Sequence, residues 1–153
     1  MLVNQNAARV RPRQVEDDVA LVRRSYRMLE DLRNAPDGPA DRLLRELVHE
    51  RFELHLPATY PEGAQVFRGP DGLKRWTLKF KEIWGEWRFD VQRYLSAGDR
   101  VVALIHVVAE GGQSGVRLER DTAHVWTLAD DQVTRCEVYL DRPEALKALG
   151  LTE

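Results

Sequence analysis

The hydrophobic pattern of the chain changes its period near Glu86, and this change constrains the fold more than any other feature. Before it, apolar residues recur every three or four positions over residues 15–33 and again after Pro70, which is typical of amphipathic helices. After it, apolar and polar residues alternate over four segments, at 87–95, 100–110, 116–128 and 133–140. The turns between these segments are too short for parallel crossovers, so the pattern predicts an antiparallel meander.

Shorter elements complete the predicted order. Helix-breaking residues, among them two prolines and a glycine, end the first helix at 34–39. Pro39 is then well placed in the first turn of a second, short helix. Residues 52–57 alternate strictly and predict a strand, and the segment 57–68, with two prolines and a glycine, predicts a loop. The sequence 141–144 has the form of an acidic N-cap for a last helix.

Helices followed by a run of strands indicate an α+β fold rather than alternating β/α units. At 153 residues the chain has the length of one ordinary domain. We therefore expect one domain over residues 15–153, preceded by a flexible N-terminal arm at residues 1–14.

Composition excludes several classes of function. The formal net charge of −2 does not indicate a positively charged surface, so we expect no binding to nucleic acid. No apolar run approaches the length of a membrane helix, and the polar N-terminus does not resemble a signal peptide, so we expect a cytoplasmic protein without membrane contact. Cys136 is the only cysteine, which excludes an internal disulfide.

Five short motifs, in this order and spacing, resemble the NTF2-like superfamily and most closely its SnoaL-like branch of small bacterial proteins. They are FELHLP at 52–57, FRG at 67–69, AGDRV at 97–101, AHVWTL at 123–128 and EVYLD at 137–141. The resemblance implies a cone in which a curved antiparallel sheet wraps around a long N-terminal helix and encloses a pocket. It also implies a homodimer packed through the outer face of the sheet.

Strand alternation, together with the inward faces of that superfamily, predicts which side chains line the pocket. The predicted ligand-binding set is mostly aromatic or aliphatic, and it comprises Trp76, Phe80, Trp84, Trp87, Phe89, Leu104, Arg120, Thr122, Trp126, Cys136 and Val138. The tryptophans are either core residues or a flat apolar wall for a ring-containing ligand. Arg120 either binds a carboxylate-bearing ligand or pairs with a surface acid such as Glu110.

Three polar residues are predicted to face the same pocket, namely His106, His124 and Tyr26. Burial lowers the pKa of an imidazole and favours a neutral acid, base or hydrogen-bonding group. As catalytic residues, His124 would be the hydrogen-bond donor or acid, Tyr26 its partner from across the cavity, and His106 the base. The alternative is that all three are satisfied polar groups that tie strands and helix together. Two histidines with no inward carboxylate are a poor metal site, and we expect neither metal nor cofactor.

Comparison with catalytic members of the superfamily leaves the activity open. Tyr26 and His124 fall where ketosteroid isomerase has its oxyanion-hole residues, but its base position falls on Leu56 or His55, of which alternation favours Leu56 as inward. The Asp–Arg–Asp set of the epoxide hydrolases falls on His106, Leu104 and Val138, so that machinery is absent.

The sequence therefore predicts a protein that binds a small hydrophobic, ring-containing molecule. This protein either also catalyses a cofactor-independent isomerase, cyclase or dehydratase reaction or acts only by binding. A non-catalytic dimeric binding or scaffolding domain is the alternative.

Overall fold

The computed structural model describes residues 15–113 and 115–152, so the predicted arm at 1–14 lies outside the described part. Within these residues it confirms the α+β class, with four helices and six strands. The helices are α1 (Val15–Asn34), α2 (Pro39–Leu47), α3 (Gly69–Trp84) and α4 (Arg142–Ala148). The strands are β1 (Val48–Leu56), β2 (Gln65–Arg68), β3 (Gly85–Ala97), β4 (Arg100–Gly111), β5 (Leu118–Ala129) and β6 (Gln132–Tyr139).

The strands form one curved sheet in the order β2-β1-β6-β5-β4-β3. The four-strand meander β3 to β6 is antiparallel, as alternation predicts, but β1 joins β6 in parallel. Strand β2 was not predicted, because it has only four residues and directly follows the proline-containing loop. Register shifts interrupt the β1–β6, β3–β4 and β5–β6 pairings, and such irregularities bend and twist a sheet.

Helices α1 and α3 pack in the main core with the inner face of the sheet. The buried stripe of α1 includes Val22, Tyr26 and Leu29, three or four residues apart, as the sequence period predicts. In α3 the buried positions include Leu73, Trp76 and Phe80. The polar sides of both helices face solvent.

Gly85 makes the sharp turn from α3 into β3 possible. Its φ is +92°, and a Cβ at this position would lie 2.1 Å from the carbonyl oxygen of Glu110 on the paired strand. Only glycine tolerates both conditions. The turn brings the aromatic face of α3 over the inward residues of β3.

The C-terminal helix α4 lies on the opposite, outer face of the sheet. The side chain of Asp141 accepts a hydrogen bond from the backbone N–H of Glu144, which confirms the predicted N-cap. Ala145 and Leu146 of this helix form a second apolar cluster with residues of β4 and β5. None of the described helices is long and apolar enough to cross a membrane.

Candidate functional site

A cavity of about 140 Å³ opens between α3, the loop after β1 and the inner face of β3 to β6. The lining is mostly apolar, and it comprises Tyr60, Pro61, Trp76, Phe80, Trp84, Phe89, Val107, Leu118, Arg120, Thr122, His124, Val138 and Leu140. No Asp or Glu stands among these lining residues. Ligand sites in proteins have this character, a concave apolar surface with a few convergent polar groups.

Aromatic rings form one wall of the cavity. The ring of Trp76 lies 5.5 Å from that of Phe80 and 6.3 Å from that of Phe89, nearly parallel to the latter. Trp84 extends this wall from the last turn of α3. Flat rings at these separations present their faces and edges to a ligand ring.

At the inner end of the cavity, three side chains form a buried hydrogen-bond chain. The indole Nε1 of Trp126 donates to the hydroxyl of Tyr26 at 2.8 Å, and that hydroxyl lies 2.8 Å from Nδ1 of His124. Helix α1 supplies the tyrosine and strand β5 supplies both partners, because residues 124 and 126 point to the same face. The chain connects the helix to the sheet and fixes the imidazole ring.

The hydrogen-bond chain assigns the tautomer of His124. The Tyr26 hydroxyl accepts the indole proton, and its own proton has no acceptor other than His124 Nδ1 among the described residues. A buried hydroxyl proton without an acceptor is unfavourable, so Tyr26 donates to Nδ1 and the ring proton resides on Nε2. No described residue accepts from Nε2, and His124 lines the cavity, so this N–H is available to a ligand.

Burial keeps both groups neutral at physiological pH. Desolvation lowers the pKa of His124 to about 3, because the charged imidazolium would lie among aromatic rings without a carboxylate partner. The same effect raises the pKa of Tyr26 well above its usual value. His124 is therefore a neutral hydrogen-bond donor to the cavity.

Two further polar residues line the cavity from the same face of β5. Thr122 is 4% exposed, and its Oγ1 has no hydrogen-bond partner in the structure. Arg120 is exposed, and its Nη2 donates to the backbone carbonyl of Leu140 at 3.3 Å. The expected pair of Arg120 with Glu110 is absent; Glu110 lies instead 3.6 Å from Arg117.

The structure distributes the predicted site residues among the cavity lining, the buried core and the outer face of the sheet. The cavity lining contains Trp76, Phe80, Trp84, Phe89, Arg120, Thr122, His124 and Val138. Trp87, Trp126 and Cys136 face the same side of the sheet but are buried in the core outside that lining. Tyr26 is also a core residue and reaches the site only through His124.

The prediction that His106 and Leu104 face the cavity is wrong. On β4 the inward positions are odd-numbered, such as Ala103 and Val107, whereas Leu104 packs on the outer face beneath α4. The error has a physical cause. Both faces of β4 are buried and apolar at this point, one by the main core and the other by α4, so alternation does not distinguish them.

His106 belongs instead to a charged cluster on the outer face. Its Nδ1 lies 2.6 Å from a carboxylate oxygen of Asp121, and its Nε2 lies 2.8 Å from one of Glu119. These two acids raise the pKa of His106. In turn Asp121 lies 3.6 Å from Arg142 at the start of α4, so the cluster links two strands to the helix.

The base position of ketosteroid isomerase holds no base in this chain. Leu56 is buried in the core, while Nε2 of His55 lies 2.9 Å from Glu53 on the opposite face of β1. Over the part of the chain that the structure describes, no group of three His, Cys, Asp or Glu side chains is arranged to hold a metal ion.

Sequence reasoning missed the loop side of the cavity. Tyr60 and Pro61 line it from the segment between β1 and β2, where no hydrophobic period exists to assign an orientation. Val107 was missed with the wrong face of β4. The prolines around Tyr60 indicated a rigid loop, but only the fold shows that this loop closes over α3.

Comparison with solved structures places the fold among known proteins. TerC co-crystallised with polyporic acid is 23% identical, with a TM-score of 0.65, and the match covers 87% of this chain and 97% of that one. A protein described as a SnoaL-like polyketide cyclase from Jannaschia sp. CCS1 is 17% identical over 94% and 99% of the two chains, with a TM-score of 0.67.

A protein with a ketosteroid isomerase-like fold from Catenulispora acidiphila, in complex with trimethylamine, is 14% identical over 82% and 93% of the two chains, with a TM-score of 0.57. No curated protein sequence matches the chain. The family model of the SnoaL-like domain, however, matches residues 22–136, from the middle of α1 to β6. The chain therefore belongs to the SnoaL-like domain family, as its motifs predict.

Proposed function

We propose that the cavity binds the apolar ring of a small molecule, and that an oxygen of this molecule accepts a hydrogen bond from Nε2 of His124. The observation that carries the proposal is the Trp126–Tyr26–His124 chain, which ends in a free N–H at the inner end of a mostly apolar cavity. A chain of this kind orients a donor in advance, so a ligand oxygen meets it without reorganisation.

The dimensions of the cavity support a ligand with one ring inside it. A volume of about 140 Å³ is close to the roughly 150 Å³ of an engineered apolar cavity that binds benzene. The aromatic wall of Trp76, Phe80 and Phe89 suits a flat ring. A second ring would extend past Arg120 towards solvent.

Two neighbours of the same fold contain small molecules, which supports ligand binding by a protein of this fold but not the class of ligand. TerC was crystallised with polyporic acid, and the Catenulispora acidiphila protein with trimethylamine. At these identities the likeness concerns the fold alone, so the ligand class of this chain rests on its own lining residues.

A second candidate function is cofactor-independent chemistry on the bound molecule, of the isomerase, cyclase or lyase class. The neutral N–H of His124 favours it, because such a donor polarises a carbonyl and stabilises the oxyanion that forms from it. The lining contains no carboxylate to remove a proton. A proton acceptor would therefore be water or a group of the substrate itself, and binding without turnover is the simpler function.

Homodimerisation through the outer sheet face stays a prediction, as does the alternative of a scaffolding domain. Helix α4 covers Val102 and Leu104 on that face, which leaves the charged region around His106 for a partner copy. Sedimentation velocity at several protein concentrations would decide the oligomeric state.

The test of the proposed function is a thermal-shift screen against ring-containing ketones, lactones, epoxides and aromatic acids. A ligand that binds only the native state raises the midpoint of unfolding. Leu118→Trp should abolish the shift by filling the cavity, whereas Val116→Trp, two residues earlier and outside the lining, should preserve it. Shifts of equal size in both variants, or no shift with any compound, would contradict ligand binding in the cavity.

If a ligand is found, turnover can be tested with the same compounds. His124→Gln retains an acceptor for the Tyr26 hydroxyl but changes the donor in the cavity. Loss of product formation with intact folding would support the second candidate function. Binding without product in the parent protein would support the first alone.

A further inference from the structure

The polar groups of the cavity share one electrostatic character. Arg120, Thr122 and His124 lie at alternate positions of β5, so their side chains point to the same face and follow each other at about 7 Å intervals from the mouth inwards. One is a cation and the other two can donate a hydrogen bond. Since no acidic residue joins them in the lining, the cavity is complementary to an anion.

Arg120 is the cation of this series, and it differs from nearby Arg117 and Arg142, which both pair with acids of the outer face. Arg117 lies 3.3 Å from Glu119, and Arg142 lies 3.6 Å from Asp121. The guanidinium of Arg120 makes no ion pair within the described residues and donates only to the carbonyl of Leu140. That single contact holds the side chain at the mouth and leaves further N–H groups for a ligand.

Thr122 lies between the arginine and the histidine. Its Oγ1 is buried and has no hydrogen-bond partner, an arrangement that costs free energy unless a ligand group or water supplies one. The residue is 4% exposed and lines the cavity. A polar ligand group in the cavity would complete its hydrogen bonding.

We propose, building on the proposed function, that the ligand is an anion: a single-ring carboxylate with a second oxygen, as ketone or hydroxyl, across the ring. Arg120 binds the carboxylate at the mouth, the aromatic wall holds the ring, and His124 Nε2–H donates to the distal oxygen. A guanidinium presents paired N–H groups that match a carboxylate. The buried hydroxyl of Thr122 donates to the same ligand.

The experiment compares two probes of nearly the same shape, 4-acetylbenzoate, which carries a charged carboxylate, and 4-acetylbenzamide, in which a neutral amide replaces it. Binding at pH 7.5 is measured by calorimetry, and independently by the intrinsic tryptophan fluorescence, to which Trp76 and Trp84 of the cavity wall contribute. The parent protein should bind the acid about tenfold more tightly than the amide, the size expected for a charge-assisted contact at a solvent-exposed mouth. Added salt should reduce this preference.

A variant of Arg117, which directly precedes β5, provides the control for a variant of Arg120 on that strand. Arg120→Gln should remove the preference for the acid while the affinity for the amide stays within about twofold of the parent value. Arg117→Gln, which lies outside the lining, should retain the preference. Thr122→Val should weaken binding of the acid several-fold.

The outcomes separate this inference from the proposed function. Equal affinity for acid and amide in the parent protein, or an unchanged preference in Arg120→Gln, would overturn the anion inference and leave ring binding in place. If neither probe binds, the anion inference fails as stated. The screen of neutral ring compounds with Leu118→Trp then decides the proposed function separately.

Discussion

Two histidines on neighbouring strands lie in opposite surroundings. His124 on β5 faces the core, is 4% exposed, and receives a hydrogen bond from Tyr26. His106 on β4 faces outward, partly exposed, between the carboxylates of Asp121 and Glu119. Burial lowers the pKa of the first to about 3, while the acids raise the pKa of the second.

The contrast shows that the partners of a histidine, rather than its presence on a strand, decide its chemistry. A neutral ring held by a tyrosine is a donor to a mostly apolar cavity, whereas two acids beside a ring favour its charged form and link it to other surface elements. The catalytic or binding role proposed for this chain therefore rests on His124 alone of the two.

The largest expected effect comes from breaking the inner hydrogen-bond chain. Tyr26→Phe removes the hydroxyl and leaves both the Trp126 indole N–H and His124 Nδ1 buried without partners. We expect a loss of about 3 kcal/mol in the free energy of unfolding, measured by urea denaturation, since each unsatisfied group costs roughly 1–3 kcal/mol. Tyr139→Phe, on the outer side of β6, should change it by less than about 0.5 kcal/mol.

A loss as small as that of the control would mean that the Tyr26 hydroxyl does not satisfy its two buried partners. The tautomer assigned to His124 would then lose its basis.

The next effect is the response of stability to acid. The folded-state pKa of His124, about 3, lies below its unfolded value of about 6.5, so below that pH the unfolded state binds a proton that the native state does not. Stability should fall by about 1.4 kcal/mol per pH unit between roughly pH 6 and 5, before the carboxylates titrate.

His124→Gln should remove this slope, because glutamine does not titrate, while its Oε1 still accepts from Tyr26. Urea denaturation at several pH values measures it. An equal slope in the variant would show that His124 is not the group that responds to acid.

The smallest effect is on the alkaline side and belongs to His106. Its folded-state pKa is raised, so its stabilising contribution is fully present below about pH 6.5 and is lost as the pH rises through the folded-state value. His106→Gln should flatten this part of the stability profile and His124→Gln should not. If both variants keep the alkaline decline, the outer cluster does not contribute to it.

The fold could be predicted from the sequence because several independent patterns indicated the same order of helices and strands. The period of α1, the breakers after it and the alternation of β5 all pointed to the same order of elements, and the inward face of β5 holds Thr122, His124 and Trp126 as predicted. The predicted orientation of strand β4 was wrong, because apolar residues lie on both of its faces where α4 covers the outer one. Alternation assigns a face only when one face meets water.

The candidate site was predictable in part for a related reason. Tyr26 and His124 are 98 residues apart in the chain, and the superfamily resemblance rather than any local pattern brought them together before the structure did. Neither a local pattern nor the superfamily resemblance indicated Tyr60, because it lies in a loop that has no hydrophobic period. The unpaired state of Arg120 depends on which surface acid meets which arginine, and side-chain packing alone decides that.

The most direct test of the central claim is nitrogen-15 NMR of the histidine rings, recorded across the pH range on protein labelled at the imidazoles. We expect His124 to remain neutral, with its proton on Nε2, from pH 8 down to pH 5, and His106 to titrate above its ordinary pKa. A His124 ring that becomes charged near pH 6.5, or that carries its proton on Nδ1, would contradict the proposed site, because the cavity would then lack its fixed neutral donor.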